Sequence, residues 1–294
     1  MDTVKPHTFY LKTLRHKLPS RTKSSNKTNV GSVLVVGGFK DFKGAGILSS
    51  RASLVSGSGY TYLMTSEKKQ LVKFPWIDYP DLILKAPSVS LAKKLLSNPM
   101  HSLVIGPGIG RSSSAKKLFI NLVHLQQRLG FSMVVDADAF SFFDGLKLKN
   151  KFNSNVVFTP HAGELGRVLK LSSKKVEADR GKAIMLAQKQ WGGTWILKGH
   201  ETLVFSSQKT KTTFCMLKNG SVALSKAGTG DVLAGIIAAF LAHGLAGEEA
   251  SILGTYLHNE AAREFTKKGD VLSLSPLNLI ENLPKVIKKF RQSK

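Results

Sequence analysis

The stretch Lys226-Ala227-Gly228-Thr229-Gly230-Asp231-Val232-Leu233-Ala234-Gly235 constrains the fold of this chain most tightly. Two glycines flank Thr229, and an acid then opens an apolar run from Val232 to Leu245. Such a run reads as a helix too hydrophobic to leave a face in water, so it needs cover from its own chain or a second copy. A glycine-rich turn entering a helix leaves the first N–H groups without intrahelical partners. With the positive end of the helix dipole, those groups suit a phosphate or a developing anion. Asp231 stands at that mouth. It is either a helix-start acid that complements the dipole or a general base held beside a phosphoryl group.

Upstream, strand and helix patterns alternate. Ser32 to Val36 is an apolar run ending at Gly37-Gly38, the pattern of a strand buried on both faces. A small-residue helix from Ile47 to Ser56 and a strand from Tyr60 to Thr65 complete a βαβ unit, which implies a right-handed crossover in a parallel sheet. Further strands are expected at 82–84, 102–105, 133–135, 156–158 and 194–197. A hairpin is expected from 203–205 and 212–216. Helices are expected at 91–96, 114–129, 164–169, 174–190, 231–245, 247–266 and 276–292. The fold class is therefore α/β, a mostly parallel central sheet with helices on both faces. Residues 1–29, polar and basic with no signal-peptide core, read as an arm, and residues 30–294 as a single domain.

Composition narrows the class. No apolar run reaches the roughly 20 residues that span a bilayer, so no membrane partner is expected. Cys215 is the only cysteine, which forbids an internal disulfide and suits a reducing cytoplasm. The net charge is +24, from 43 basic and 19 acidic residues, which favours anionic partners. The lysines are scattered over many segments, so a solvated basic surface is expected rather than a specific nucleic-acid face.

The chemistry-bearing residues cluster after the expected strands, where open α/β sheets bind ligands. They are Gly37-Gly38, Gly106-Pro107-Gly108, Asp136, Thr159-Pro160-His161, Lys198-Gly199 and the Gly228 turn. Familiar alternatives fail. Gly37 to Gly46 lacks the Gly-Lys-Ser/Thr ending of a P-loop, and Arg111 breaks the G-x-G-x-x-G spacing that Gly106 and Gly108 begin. There is no G-x-S-x-G elbow and no cysteine cluster for zinc. Each candidate has a plainer reading. Gly106, Gly108 and Gly110 permit a tight turn, Asp136 and above all Asp138 are placed to cap the next helix, and His161 is a cap or a hydrogen-bonded histidine. Glu164 is a first-turn acid, and Lys198 an exposed strand end.

Taken together, six blocks carry a family resemblance. They are Val33 to Gly38 with Gly44-Ala45; Val104 to Gly110; Val135 to Ala139; Thr159-Pro160-His161-Ala162-Gly163-Glu164; Leu197-Lys198-Gly199; and Ala227 to Gly235. In this order and spacing the chain resembles the NAD(P)H-hydrate dehydratases of the ribokinase-like superfamily. The resemblance implies a nucleotide repair enzyme that returns the S-form of hydrated NADH or NADPH to the intact dinucleotide. The ring hydroxyl is transiently phosphorylated from ADP or ATP, and phosphate and AMP or ADP are released. It implies Asp231 as base, with Ala45, Gly106, Gly108, Gly110, His161 and Asp231 on the hydrate. It implies Lys198, Gly199, His200, Glu201, Thr202, Gly228, Thr229 and Gly230 on the donor. It implies a Mg²⁺ that bridges the donor phosphates, with Glu164 nearest to it through water. It also implies a separate epimerase as functional partner and a homo-oligomer, a tetramer in the family. Phe39 after the double glycine and His200-Glu201 after Lys-Gly depart from the usual small residues. Two other readings remain: a vitamin or sugar kinase of the same superfamily, which would share the Gly-x-Gly-Asp turn, and a basic nucleic-acid-binding protein, which would explain the charge but not the loops.

Overall fold

The computed structural model describes residues 11–27, 30–65, 80–208 and 210–292. Among them nine strands form one sheet: β1 Ser32–Val36, β2 Tyr60–Met64, β3 Ile83–Lys85, β4 His101–Ile105, β5 Ser132–Val135, β6 Phe152–Phe158, β7 Gly192–Leu197, β8 Thr202–Ser207 and β9 Thr212–Leu217. Their order is β3-β2-β1-β4-β5-β6-β7-β8-β9. Neighbours from β3 to β7 run parallel, and β8 is antiparallel to both β7 and β9. The sheet is thus mostly parallel, as the alternating pattern requires.

Successive side chains of a strand point to opposite faces, and each face is buried here. Val33, Val35, Val104, Val134 and Val157 pack under α2 (Lys43–Val55), α8 (Thr229–Ala242), α9 (Gly247–Thr266) and α10 (Pro276–Gln292). Leu34, Val36, Leu103, Ile105, Met133 and Val135 pack under α3 (Val89–Leu96), α4 (Ser113–Leu129), α5 (Ala162–Leu169) and α7 (Arg180–Trp191). The arm reading of residues 1–29 falls partly outside the described residues. Where it is described, α1 (Leu11–Leu14) carries Leu14 into the first core together with Leu18.

Several ends move from their expected places. The helix read as 174–190 is two, α6 (Ser173–Ala178) and α7, because Asp179 leaves helical backbone and its carboxylate caps the Lys182 N–H. β6 starts at Phe152 rather than Val156, α2 at Lys43 rather than Ile47, and α8 at Thr229 rather than 231. Residues 232–242 of α8 are buried within this one chain, so its hydrophobicity gives no argument for a second copy. No helix among the described residues is long and apolar enough to cross a membrane.

Topology prepares the site. The chain runs outward from β1 to β2 and β3 and returns to β4 beside β1, which opens a switch-point crevice. Register then levels the strand ends: Met64 and Ile105 both align with Val36, Val135 with Ile105, and Phe158 with Val135. The residues that follow these strands emerge along one edge.

Candidate active site

Three adjacent strands end on one polar cluster. Asp136 follows β5 and is 1% exposed. Its Oδ1 accepts from Lys198 Nζ after β7 at 2.9 Å and from Thr159 Oγ1 after β6 at 2.7 Å. Lys198 Nζ also lies 3.9 Å from Glu164 Oε2. Burial opposes the Lys198 charge, but Asp136 and Glu164 outweigh it and hold the ammonium above its ordinary pKa. Burial pushes the Glu164 carboxyl up, with Lys198 acting against the rise.

The N-terminus of α8 meets this cluster at Gly230. A β-carbon there would stand 3.3 Å from Lys198 Nζ and 3.8 Å from Asp136 Oδ2. The missing side chain lets the first-turn N–H groups approach the ion pair. Gly228, with φ of +92°, supplies the left-handed residue that starts the helix. His258 Nε2–H donates to the Thr229 carbonyl at 2.9 Å, and burial pushes this histidine down to about 4, which keeps it neutral. Asp231 sits in the same first turn. Burial, then the negative charge of Asp136, against the pull of Lys198, pushes its carboxyl up to about 7. A carboxylate at that value suits a general base near neutral pH.

His161 and Glu164 form a reciprocal cap at the start of α5. His161 Nδ1 accepts from the Gly163 N–H at 3.0 Å and lies 3.4 Å from the Glu164 nitrogen, while Glu164 Oε2 accepts from the His161 N–H at 2.8 Å. Because Nδ1 accepts, the neutral ring carries its proton on Nε2. Both residues thus meet their plainer readings, and Glu164 also approaches Lys198.

At the switch point the loops after β1 and β4 are tied together. Gly38 N–H donates to Pro107 O and Phe39 N–H to Gly108 O, each at 2.8 Å. A β-carbon at Gly106 would collide with the Asp136 carbonyl, and one at Gly108 would stand 2.6 Å from the Phe42 β-carbon and 3.1 Å from that of Ala45. Close packing therefore requires these two glycines. Gly110 has open space beside it. Its N–H donates to Asp138 Oδ2 at 3.1 Å. Asp138 accordingly holds this loop instead of capping the turn that follows, and Asp136, spent on Lys198 and Thr159, makes no cap either.

Between the β7 loop and α8 lies a cavity of about 290 Å³, lined by Lys198, Gly199, His200, Thr202, Gly230 and His258 among others. Glu201 is not in its lining. Its carbonyl accepts from Arg180 Nη2 at 3.0 Å, and the same nitrogen reaches the Leu197 carbonyl at 3.1 Å. Gly199 lies against that guanidinium, where a β-carbon would collide. Sequence reading missed Arg180 and His258, and it named Asp136 and Thr159 at their strand ends without pairing either with Lys198. Their partners come from other elements, and only the position of Asp136 and Thr159 after expected strands gave any signal.

The profile of the NAD(P)H-hydrate dehydratase family matches residues 33–285. The chain is 32% identical to the ADP-dependent (S)-NAD(P)H-hydrate dehydratase of Lactococcus lactis over 93% of this chain and 95% of that one. It is also 32% identical to the bifunctional NAD(P)H-hydrate repair enzyme Nnr of Dictyoglomus turgidum, over 92% of this chain. There it spans about half, 53%, of the longer relative. A crystal structure of the ADP/ATP-dependent NAD(P)H-hydrate dehydratase of Bacillus subtilis, co-crystallised with ATP/Mg²⁺, superposes with a TM-score of 0.82 at 24% identity, covering 98% of this chain and 99% of that one. The fold is ribokinase-like. With the profile matching most of its length and the Lactococcus lactis enzyme matching nearly end to end, the chain belongs to the NAD(P)H-hydrate dehydratase family.

Proposed function

We propose that this chain dehydrates the S-form of hydrated NADH or NADPH at the expense of ADP or ATP. The observation that carries the reading is the placement of Asp231, with a carboxyl pushed to about 7, in the open first turn of α8 beside the Lys198–Asp136 pair. Asp231 takes the proton of the ring hydroxyl, and that oxygen attacks the terminal phosphoryl group of the nucleotide, breaking the phosphoanhydride bond so that AMP leaves from ADP or ADP from ATP. The N–H groups of Gly228, Thr229 and Gly230 and the Lys198 ammonium stabilise the charge on the transferring group. The phosphorylated oxygen then leaves as phosphate with loss of a neighbouring ring proton, and the double bond returns.

The cavity from Lys198 to Thr202 takes the donor nucleotide, with Glu201 shaping its loop through the backbone. The crevice at Ala45, Gly106, Gly108, Gly110 and His161 takes the damaged dinucleotide. Among the described residues no three His, Cys, Asp or Glu are grouped to hold a metal ion. A Mg²⁺ would be held through donor phosphates and water, with Glu164 the residue that would hold that water. When bound, Mg²⁺ neutralises phosphate charge. A separate epimerase that interconverts the hydrate forms, and a homo-oligomeric assembly, belong to the same proposal. They rest on the family alone, and a monomer in sedimentation at micromolar protein would remove the second.

The test is to incubate the protein with hydrated NADPH, Mg²⁺ and ADP or ATP and follow the reduced-nicotinamide absorbance. Nucleotide-dependent recovery is expected. No recovery with either nucleotide would refute the reading.

A further inference from the structure

Asp136 is built into its place more firmly than a helix-start acid needs. It is 1% exposed, its carbonyl lies where only a glycine at 106 leaves room, and the next residue, Ala137, holds a left-handed φ of +50°. A non-glycine residue in that region is a local cost that the surroundings must offset, and such positions gather at functional sites. Thr159 Oγ1 and Lys198 Nζ both bond to Oδ1, at 2.7 and 2.9 Å. A second carboxylate competes for the same ammonium, since Glu164 Oε2 is 3.9 Å from Lys198 Nζ. The nearer carboxylate sets where the ammonium rests. That resting place is 3.3 Å from where a β-carbon of Gly230 would be, beside the open first turn of α8.

We propose that Asp136, braced by the Thr159 hydroxyl, is a positioning residue that aims the Lys198 ammonium at the N-terminus of α8, where the transferring phosphoryl group sits. The proposal rests on the function proposed above. Lys198 is the group that touches the donor phosphate, and Asp136 acts through it. Neutralising Asp136 leaves Glu164 as the stronger attractor, and the ammonium swings away from Gly230 toward α5. Removing the Thr159 hydroxyl frees the Asp136 carboxylate to rotate and has the same effect in weaker form. Displacement of a charge-stabilising group by about 1 Å costs up to about a hundredfold in rate.

The experiment is a double-mutant cycle on kcat at saturating nucleotide and hydrate, using Asp136→Asn, Lys198→Ala and the pair. Asp136→Asn is expected to lower kcat by about tenfold to a hundredfold while the KM for the hydrate stays within about twofold. In the Lys198→Ala background the same change is expected to add less than about twofold, because nothing is left to aim. Thr159→Val should reproduce part of the loss and Thr159→Ser should restore it, which separates aiming from a fold defect should Asp136→Asn fold poorly. Multiplying losses in the pair would overturn the proposal, since Asp136 would then act on substrate or metal directly. An unchanged kcat in Lys198→Ala would overturn it as well. Absence of hydrate turnover by the wild-type protein would instead refute the underlying function, so the two failures are distinct.

Discussion

Asp231 combines two demands that pull against each other. The proposed reaction needs it ionised as the base; buried beside Asp136, it resists ionisation and its carboxyl rises to about 7. Turnover should therefore fall as pH drops below about 7, which a pH profile of kcat/KM reads directly. Asp231→Asn should keep nucleotide binding and lose about 10²–10⁴ in rate. Stability gives an independent sign. The folded carboxyl binds its proton more tightly than the ordinary 3.8 of the unfolded chain. Its stabilising contribution is full below about pH 4 and is lost as pH rises through about 7. Asn mimics the protonated form and does not titrate, so the thermal midpoint of the mutant relative to wild type should rise between pH 4 and pH 8. A constant difference would contradict the raised value. Lys198→Ala should weaken ADP or ATP binding by about tenfold to a hundredfold, the loss of one charge-assisted hydrogen bond, and leave hydrate affinity nearly unchanged. Titration with each ligand checks it.

At the level of elements, two contacts place the site. Arg180, at the start of α7, holds the carbonyls of Leu197 and Glu201 and so shapes the loop that lines the cavity beside α8. Lys cannot reproduce a planar fork, so Arg180→Lys should raise the KM for nucleotide by about fivefold to tenfold, the worth of roughly one such bond, with kcat little changed. Gly235 lets α8 cross α2 closely. A β-carbon there would collide with the Ser49 carbonyl and stand 2.9 Å from the Ala52 β-carbon. Gly235→Ala should destabilise the fold by about 1–3 kcal/mol in denaturant unfolding. These contacts also mark where sequence reading stops. The run Val33 to Val36 announces a doubly buried strand because every side chain in it is apolar, and the Gly-Thr-Gly-Asp turn announces a helix start by its own chemistry. Asp136 and Lys198 lie 62 residues apart, and only strand order and register bring them to one edge. His258 is one of several polar residues on a mostly buried helix, and its bond to Thr229 follows from helix packing that no local pattern encodes. The break at Asp179 was hidden because helix-forming residues flank it on both sides.

For the whole molecule, the excess positive charge of +24 comes from basic residues scattered over many segments of the sequence. The charge favours nucleotides and solubility. Any complex with DNA or RNA should lose affinity steeply with added salt and show no sequence preference, as a phosphate-backbone contact does. Binding curves at several salt concentrations check this. The proposed function goes beyond phosphoryl transfer, to transfer followed by elimination. Product balance in a single reaction with hydrated NADPH, Mg²⁺ and ADP tests that claim most directly. Equal amounts of restored NADPH, AMP and free phosphate are expected, and a phosphorylated product accumulating in place of NADPH and free phosphate would contradict it.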